Sequence, residues 1–453
     1  MLRAHKVEIG LLAVIVAAQA YLFAQPIHSA VNYDEAVYLA AVDALRHGQA
    51  LGSQVFAAQF PGFYDLLRGI SYLSGLTVAG IRAGMLVVTL LGTIGGWLVG
   101  RRFGGPVGGL LAASFLAIAP PLDLFGYQVI ADTPSLALTL LSLGLATLGG
   151  PAAAVVAGLV FGAAVSVKLT AVTALPALVW VLRGRLVPAA AGCAAVVVAL
   201  LIAHAGAIGD LWTSGVTYHS DARSTPAVIP HPHRQILDQI PHGTPFFVLA
   251  LLAAVLAVAF LFLHRPLHVW PLWTWVVLSV AFLFVHAPLH YNHLIVFPFT
   301  LAVAGAATLG AAVERAPRTV ALGATAVLVL AVAAAFVQQL HRVDLAKTPE
   351  PASNVAAART LERLTPPAAL TVDDRPIISF LAHRPVVGQL VDLAFLRWET
   401  GSLTDDAVIR DLRHADAVVI SRALRTRPKV LAYVRTHFAR KYDAGGVVIW
   451  VRR

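Results

Sequence analysis

The sequence is poor in charge. Only 12% of its 453 residues are Asp, Glu, Lys or Arg, where a soluble globular chain carries about 25%. Hydrophobic residues make up 58% and the mean hydropathy is +0.77. That excess of apolar side chain excludes an ordinary soluble core and points to a polytopic membrane protein. Cysteine is almost absent. The one thiol, Cys193, lies in an apolar run, which excludes an intrachain disulfide and a cysteine-based metal site. Acids are scarcer than bases, 23 against 33, for a formal charge of +10. The arginines fall in short loops between apolar runs and near the C-terminus. This pattern sets membrane orientation and argues against nucleic acid as a partner.

A spanning helix needs about 20 mostly apolar residues. Eleven runs qualify as candidates: 7–24, 79–100, 106–122, 133–149, 152–167, 169–182, 187–206, 246–263, 269–287, 293–312 and 319–339. The basic N-terminus followed by an apolar run resembles a signal peptide. No small-residue cleavage site follows, so it reads as an uncleaved first helix. Arg3 and Lys6, Arg101 and Arg102, Arg183 and Arg185, Arg265, then Arg315 and Arg318 occupy alternate loops. Lys and Arg stay cytoplasmic, and all five sets share one face only if 152–182 is two spans or none, one kinked span being the alternative division. The expected location is the cell membrane, with the N-terminus inside. Loops 25–78, 123–132, 207–245 and 287–292 then face outward, as does the tail.

The expected fold is mainly α: a bundle of about eleven spans with amphipathic helices in the first outer loop. Residues 1–340 form the membrane domain. Residues 341–453 regain charge and read as a small α/β extracytoplasmic domain. Strands are expected at 369–374, 415–421 and 445–453, and helices at 353–364, 404–413 and 428–438. Asp373-Asp374 reads as an exposed turn with a cation as the alternative, and the tail as a module that docks on the outer loops.

Loop 25–78 is long for a chain with such short connections, and loops of that size usually carry function. In "NYDEAVYLAAVDALRHGQ" (32–49) the spacing of Asp34, Val37, Ala41 and Leu45 predicts one helix stripe. It puts Asp34-Glu35 near the helix N-terminus, where acids also favour the dipole. "FPGFY" turns the chain into a second amphipathic helix. Further along, Asp132 in "VIADTPSLAL" reads locally as an N-cap with Pro at the second helical position, and Asp123 reads as loop. Lys168 lies in "AAVSVKLTAVTALP". A lysine inside an apolar segment is costly and usually faces a cavity or an anion, unless it snorkels out. On the topology above Asp34, Glu35, Asp132 and Lys168 reach one face. Among 17 histidines, "HPH" at 231–233 and "HYNH" at 290–293 offer metal ligands in principle, while His219 and His242 read as loop polar groups. His290 and His293 are the better-spaced pair, and a simple interfacial role is the alternative.

Taken together, "DEAVY" (Asp34, Glu35, Tyr38), "QFPGFYDLL", "ADTP" and "VKLTAVTALP" resemble the GT-C glycosyltransferases. The nearest pattern is that of the aminoarabinose transferase (ArnT), protein O-mannosyltransferase and Rgt-type galacturonosyl transferase group, of the glycosyltransferase family 39 type. The resemblance covers roughly residues 5–310 and lies in the order of the motifs. It implies an enzyme that moves a sugar from a polyprenyl-phosphate carrier to a lipid, glycan or protein on the outer face. Asp34 matches the essential acid of the first loop and Asp132 the second-loop acid. Lys168 matches a lysine close to the carrier phosphate, and Tyr38 an aromatic near the catalytic acid. Relatives often carry Lys-Pro-Pro where this chain has Gln59-Phe60-Pro61. Gln59 supplies no charge, which shifts phosphate binding to Lys168 and to Arg82, Arg223 or Arg234. Ala57 and Ala58 replace polar residues that some relatives use for a metal, which leaves a divalent cation open. The donor is then a lipid-linked sugar, with membrane lipids as further partners.

The implied chemistry needs a base for the acceptor proton and positive charge on the leaving phosphate. Asp34 is the candidate base, with Glu35 to orient it or bind the acceptor. Lys168 is the point charge on phosphate, and Asp132 binds sugar hydroxyls or fixes Lys168. Two rival readings remain: a transporter or flippase of lipid-linked sugars, which buried charges also suit, and a non-catalytic envelope scaffold.

Overall fold

A computed structural model describes residues 2–120, 125–223, 225, 245–262, 268–286 and 289–453. Over the described residues each of the eleven apolar runs is largely helical. Among the described residues five helices are long and apolar enough to cross a membrane: His5–Ala24, Val78–Ile118, Leu186–Ala203, Tyr291–Arg315 and Arg318–Ala346. Shorter apolar helices occupy Pro151–Val167, Leu169–Leu182, Phe246–Ala259 and Trp270–Val285. Their outward faces carry apolar side chains such as Val156, Ile202, Leu251 and Leu330. Only lipid makes such a surface favourable. The protein is a multi-pass membrane protein of mainly helical fold.

The chain divides into two compact units. The first comprises Met1–Ile27, Arg82–Ala199 and Ile229–Lys347. Its helix Val78–Ile118 is broken at Gly104 and Gly105, where φ of 65° at Gly105 lies in the left-handed region. Pro106 follows, and with no N–H it restarts a helix without loss. This is the division expected between runs 79–100 and 106–122. Glycine also lets the backbones close: a Cβ at Gly310 would meet the Gly108 backbone. Several polar groups inside the bundle are paired, although Thr170 Oγ1, Trp270 Nε1 and Gln339 Oε1 are buried without a hydrogen bond. Gln19 donates to the Leu116 carbonyl at 3.4 Å and accepts from Thr93 at 2.8 Å. Buried Glu8 accepts from the Trp97 indole at 3.1 Å, with Arg101 at 3.5 Å.

The second unit comprises His28–Ile81, Leu200–Val228 and Thr348–Arg453. Its sheet has the order β1-β2-β4-β3, with β1 (Thr371–Asp373), β2 (Ala417–Ile420), β3 (Phe438–Ala444) and β4 (Val447–Arg452). β1 and β2 run parallel, and β4 is antiparallel to both β2 and β3. Three strands and the helices Ala352–Leu364, Asp405–Leu412 and Pro428–His437 stand where the sequence puts them. β3 was not expected. Gly445 and Gly446, with φ of 59° and 76°, form the two-residue turn of a β3–β4 hairpin, and do not begin a strand.

Asp373-Asp374 is not an exposed turn. Both residues are fully buried. Asp373 accepts the N–H groups of Arg375 and Ser379, each at 2.8 Å. Asp374 accepts from Ser421 N and Oγ at 2.7 and 2.8 Å, and from Arg422 N and Leu424 N at 2.8 and 2.9 Å. Those four bonds tie the end of β1 to the end of β2, so the carboxylate acts as a clamp.

The first-loop segment docks on the tail. Phe56 N–H donates to the Gly388 carbonyl at 3.0 Å, and Gly388 N–H to Gln49 Oε1 at 3.0 Å. The Arg397 guanidinium lies 3.7 Å over the Phe56 ring. The helix Tyr33–Arg46 is therefore not a surface helix with one apolar stripe. Glu35 to Leu45 are buried on every face, packed between the helices Pro61–Ser74 and Ile377–Leu381.

Candidate active site

In the first unit the helix Pro151–Val167 stops at Lys168, whose backbone is extended with φ −160° and ψ 139°. A 3-10 turn, Leu169–Ala174, and a short helix, Leu175–Leu182, follow. The break leaves carbonyls without helical partners. Ser135 Oγ lies 3.1 Å from both the Ala164 and Lys168 oxygens and donates to them in a three-centre bond. Lys168 Nζ donates to Asp132 Oδ1 and Oδ2, both at 2.7 Å, and Asn292 Nδ2 donates to Oδ2 at 3.2 Å. The Asp132 and Lys168 side chains are 1% and 10% exposed. Removing one partner from such a buried pair strands the other charge, at a cost of about 3–5 kcal/mol.

Asp132 is not the N-cap expected of "ADTP". The helix Asp132–Thr147 begins at Asp132 itself, with Ala131 at the cap position. Its carboxylate turns to Lys168, because an ammonium in a nearly dry site binds it more strongly than a backbone amide would. Arg82, also in this unit, is fully buried. It donates to the Ile27 carbonyl at 2.9 Å and lies 5.4 Å from the Tyr127 ring centre. His293 Nδ1 accepts the His290 N–H at 3.1 Å, and the two rings sit edge to face at 5.5 Å. Among the described residues no group of three or more His, Cys, Asp or Glu is placed to hold a metal ion.

In the second unit Asn32 caps the helix Tyr33–Arg46, its side chain accepting the Glu35 N–H at 2.9 Å. Asp34 and Glu35 stand in the first turn as the sequence predicts. Asp34 is exposed and Glu35 fully buried. Tyr38 is buried edge-on against Phe63, with centroids 5.0 Å apart. Its hydroxyl accepts from Gln59 Nε2 at 3.0 Å. The Gln59 turn thus supplies a neutral donor, and His219 Nε2 lies 2.7 Å from the neighbouring Ala58 carbonyl. Tyr33 donates to Asp392 Oδ1 of the tail at 3.0 Å, with the Arg422 guanidinium 4.6 Å over its ring. Burial, with the Asp392 carboxylate beside it, pushes the Tyr33 phenol well up. Arg223 is exposed. Asp123, His231, His233, Arg234, His242 and Arg265 lie outside the described residues.

Of the two partners the sequence offers Asp132, sugar hydroxyls or Lys168, the structure shows the second. The sequence misses Asn292, although the "HYNH" run singles out its neighbours, and it misses Ser135 and the tail residues Asp392 and Arg422.

No family model matches the sequence, and no curated protein matches it. Solved structures do. ArnT from Cupriavidus metallidurans in the apo state aligns over 99% of this chain and 98% of its own, with TM-score 0.70 at 14% identity. The same protein bound to undecaprenyl phosphate gives 0.71 at 13% identity, over 97% and 98%. This chain has a GT-C fold. The archaeal oligosaccharyltransferase AglB from Archaeoglobus fulgidus, in complex with an inhibitory peptide and a dolichol-phosphate, shares the GT-C fold over 98% of this chain and 74% of its own. Its TM-score is 0.58 at 12% identity. The GT-C likeness extends over the tail as well as the bundle, further than the motifs of residues 5–310 reach.

Proposed function

We propose that this chain is a membrane glycosyltransferase that takes a sugar from a polyprenyl-phosphate carrier and passes it to a lipid, glycan or protein on the outer face of the membrane. The observation that carries the reading is the end-to-end match in fold to a protein crystallised with undecaprenyl phosphate. Lys168 adds to it: two of its N–H groups go to Asp132 and a third is left for a further anion. In this reading the N-terminus is cytoplasmic and residues 341–453 are extracytoplasmic.

Asp34 takes the proton of an acceptor hydroxyl. The acceptor oxygen bonds to the anomeric carbon as that carbon's bond to the phosphate oxygen breaks, and polyprenyl phosphate departs with the electron pair. A single displacement inverts the anomeric centre. Lys168 neutralises the departing phosphate with the N–H that Asp132 leaves unused. Asp132 is then a positioning residue, and Glu35 sets the first turn that presents Asp34. Tyr38 and Gln59 shape the wall beside it, and Arg82 adds distant positive charge.

The test is transfer by the purified protein from a panel of polyprenyl-phosphate sugars. Asp34→Asn should lower kcat by about 10²–10⁴ with membrane insertion intact. Lys168→Ala should chiefly raise the donor KM. Near-normal turnover in the Asp34 variant would remove it as the base, and an unchanged donor KM would remove Lys168 from the phosphate.

A further inference from the structure

Three arginines of the first unit converge on one cavity that the proposed chemistry does not use. The cavity measures about 210 Å³ and is lined by Arg102, Arg183 and Arg185, with Phe103, Thr147 and Trp180 among its other walls. The cations come from two separate stretches of chain. Arg102 stands just before the Gly104-Gly105 break, Thr147 ends the helix Asp132–Thr147, and Arg183 and Arg185 follow the helix Leu175–Leu182. The site is therefore built where apolar helices end, at the depth where a bilayer changes from hydrocarbon to headgroup.

Orientation in the membrane explains why arginines occupy these loops. It does not require three of them to face one hollow. Like charges brought together repel; Arg102 and Arg183 are exposed and Arg185 half-buried, so water screens part of that repulsion and a bound anion would offset the rest. The protein supplies none: among the described residues no carboxylate lies within 4 Å of these guanidinium groups. Nor do they donate to helix-end carbonyls, as Arg315 does. Instead Arg183 stacks 3.9 Å over the Trp180 ring. That contact fixes the plane of its fork and keeps its N–H edge for a ligand. Trp180 and Phe103 pack with centroids 5.5 Å apart and form an apolar floor at the interface.

We propose that this cavity binds the phosphodiester headgroup of an anionic bilayer phospholipid. Arginine forks recognise phosphate oxygens two at a time, the aromatic floor meets the first carbons of the acyl chains, and basic pockets between membrane helices suit such headgroups. The proposal rests on the membrane-embedded fold and stands whether or not the chain transfers sugar.

The experiment is native mass spectrometry and thermal unfolding of the full chain in neutral detergent. The added probe is cardiolipin, phosphatidylglycerol, phosphatidylcholine or inorganic phosphate. Cardiolipin and phosphatidylglycerol should be retained at least tenfold better than phosphatidylcholine and should raise Tm. The variant Arg102→Gln with Arg183→Gln and Arg185→Gln should lose both effects. Because fewer positive charges could alter insertion, a second variant changes the same three residues to Lys. It keeps the charge but loses the fork, and its affinity should drop several-fold. Equal retention of phosphatidylcholine, equal stabilisation by inorganic phosphate, or unchanged binding in the Gln variant would each overturn the proposal.

Discussion

Lys168 and Asp132 spend solvation to sit among apolar helices, and the two 2.7 Å bonds between them recover most of it. Their type and setting made both visible in the sequence, because a charge in an apolar run has few places to go. Asn292 was not visible as their partner, since a neutral amide in a loop has no such constraint. The same difference holds in the tail. Nothing in "TVDDRP" says that Asp373 will be covered on all sides, because burial depends on which helices close over β1. Burial pushes its carboxyl up to about 8, with two backbone N–H groups pulling against it and Asp374 adding to the rise. Between the ordinary carboxylate range near 4 and that value, the native state keeps a proton that the unfolded chain has released. Stability conferred by Asp373 is thus full in acid and declines as pH rises from about 4 through 8, by at most about 1.4 kcal/mol per pH unit. Asp373→Asn should start less stable, having put an NH2 against a backbone donor, and should lack this slope. Thermal unfolding from pH 5 to 9 compares the two. Parallel curves would show that Asp373 is ionised throughout.

Among the elements, the break at Lys168 matters most for the candidate site. A continuous helix over 151–182 would turn the lysine with its neighbours. The extended residue instead aims it at Asp132, and Ser135 covers the carbonyls that the break uncovers. Ser135→Ala removes that cover at a cost of about 1–3 kcal/mol and should raise the donor KM several-fold. Ser142, seven residues along the same helix, donates to the Ala157 carbonyl at 2.8 Å, well inside Pro151–Val167. Ser142→Ala should lower Tm to a similar degree and leave the donor KM alone. If both variants shift KM equally, the effect is general loosening. The basic loops favoured a division within 152–182, with one kinked span as the alternative, and the structure has a helix break at Lys168. It missed β3 because "FARKYDA" is polar and alternates weakly, and the Gly-Gly that marks the hairpin was read as the start of the next strand. The helix Tyr33–Arg46 was placed correctly, but its burial on every face is completed by Ile377–Leu381, a partner more than 300 residues ahead in the chain.

The whole molecule has a division that follows space instead of sequence order. Its second unit draws on His28–Ile81, Leu200–Val228 and Thr348–Arg453. Contacts of this kind, such as Phe56 to Gly388, leave no local signal, whereas the apolar runs that build the bundle are local and were legible. The first-loop helices should therefore depend on the tail for order. Deleting residues 348–453 should make the 28–81 segment sensitive to protease in intact membranes and abolish transfer, while the bundle still inserts. A first loop that stays resistant in the truncated protein would show that it folds unaided.

Gln49, which receives the Gly388 N–H, is made early and Gly388 near the end. A ribosome working at about 5–20 residues per second needs roughly 20–70 s to supply the partners of the first-loop helices. During that wait the apolar faces of Tyr33–Arg46 and Pro61–Ser74 have no tail to cover them. For this protein the vulnerable moment in biogenesis falls after the first span is in place and before the last strand exists, and any factor that shields the loop has to act within that interval.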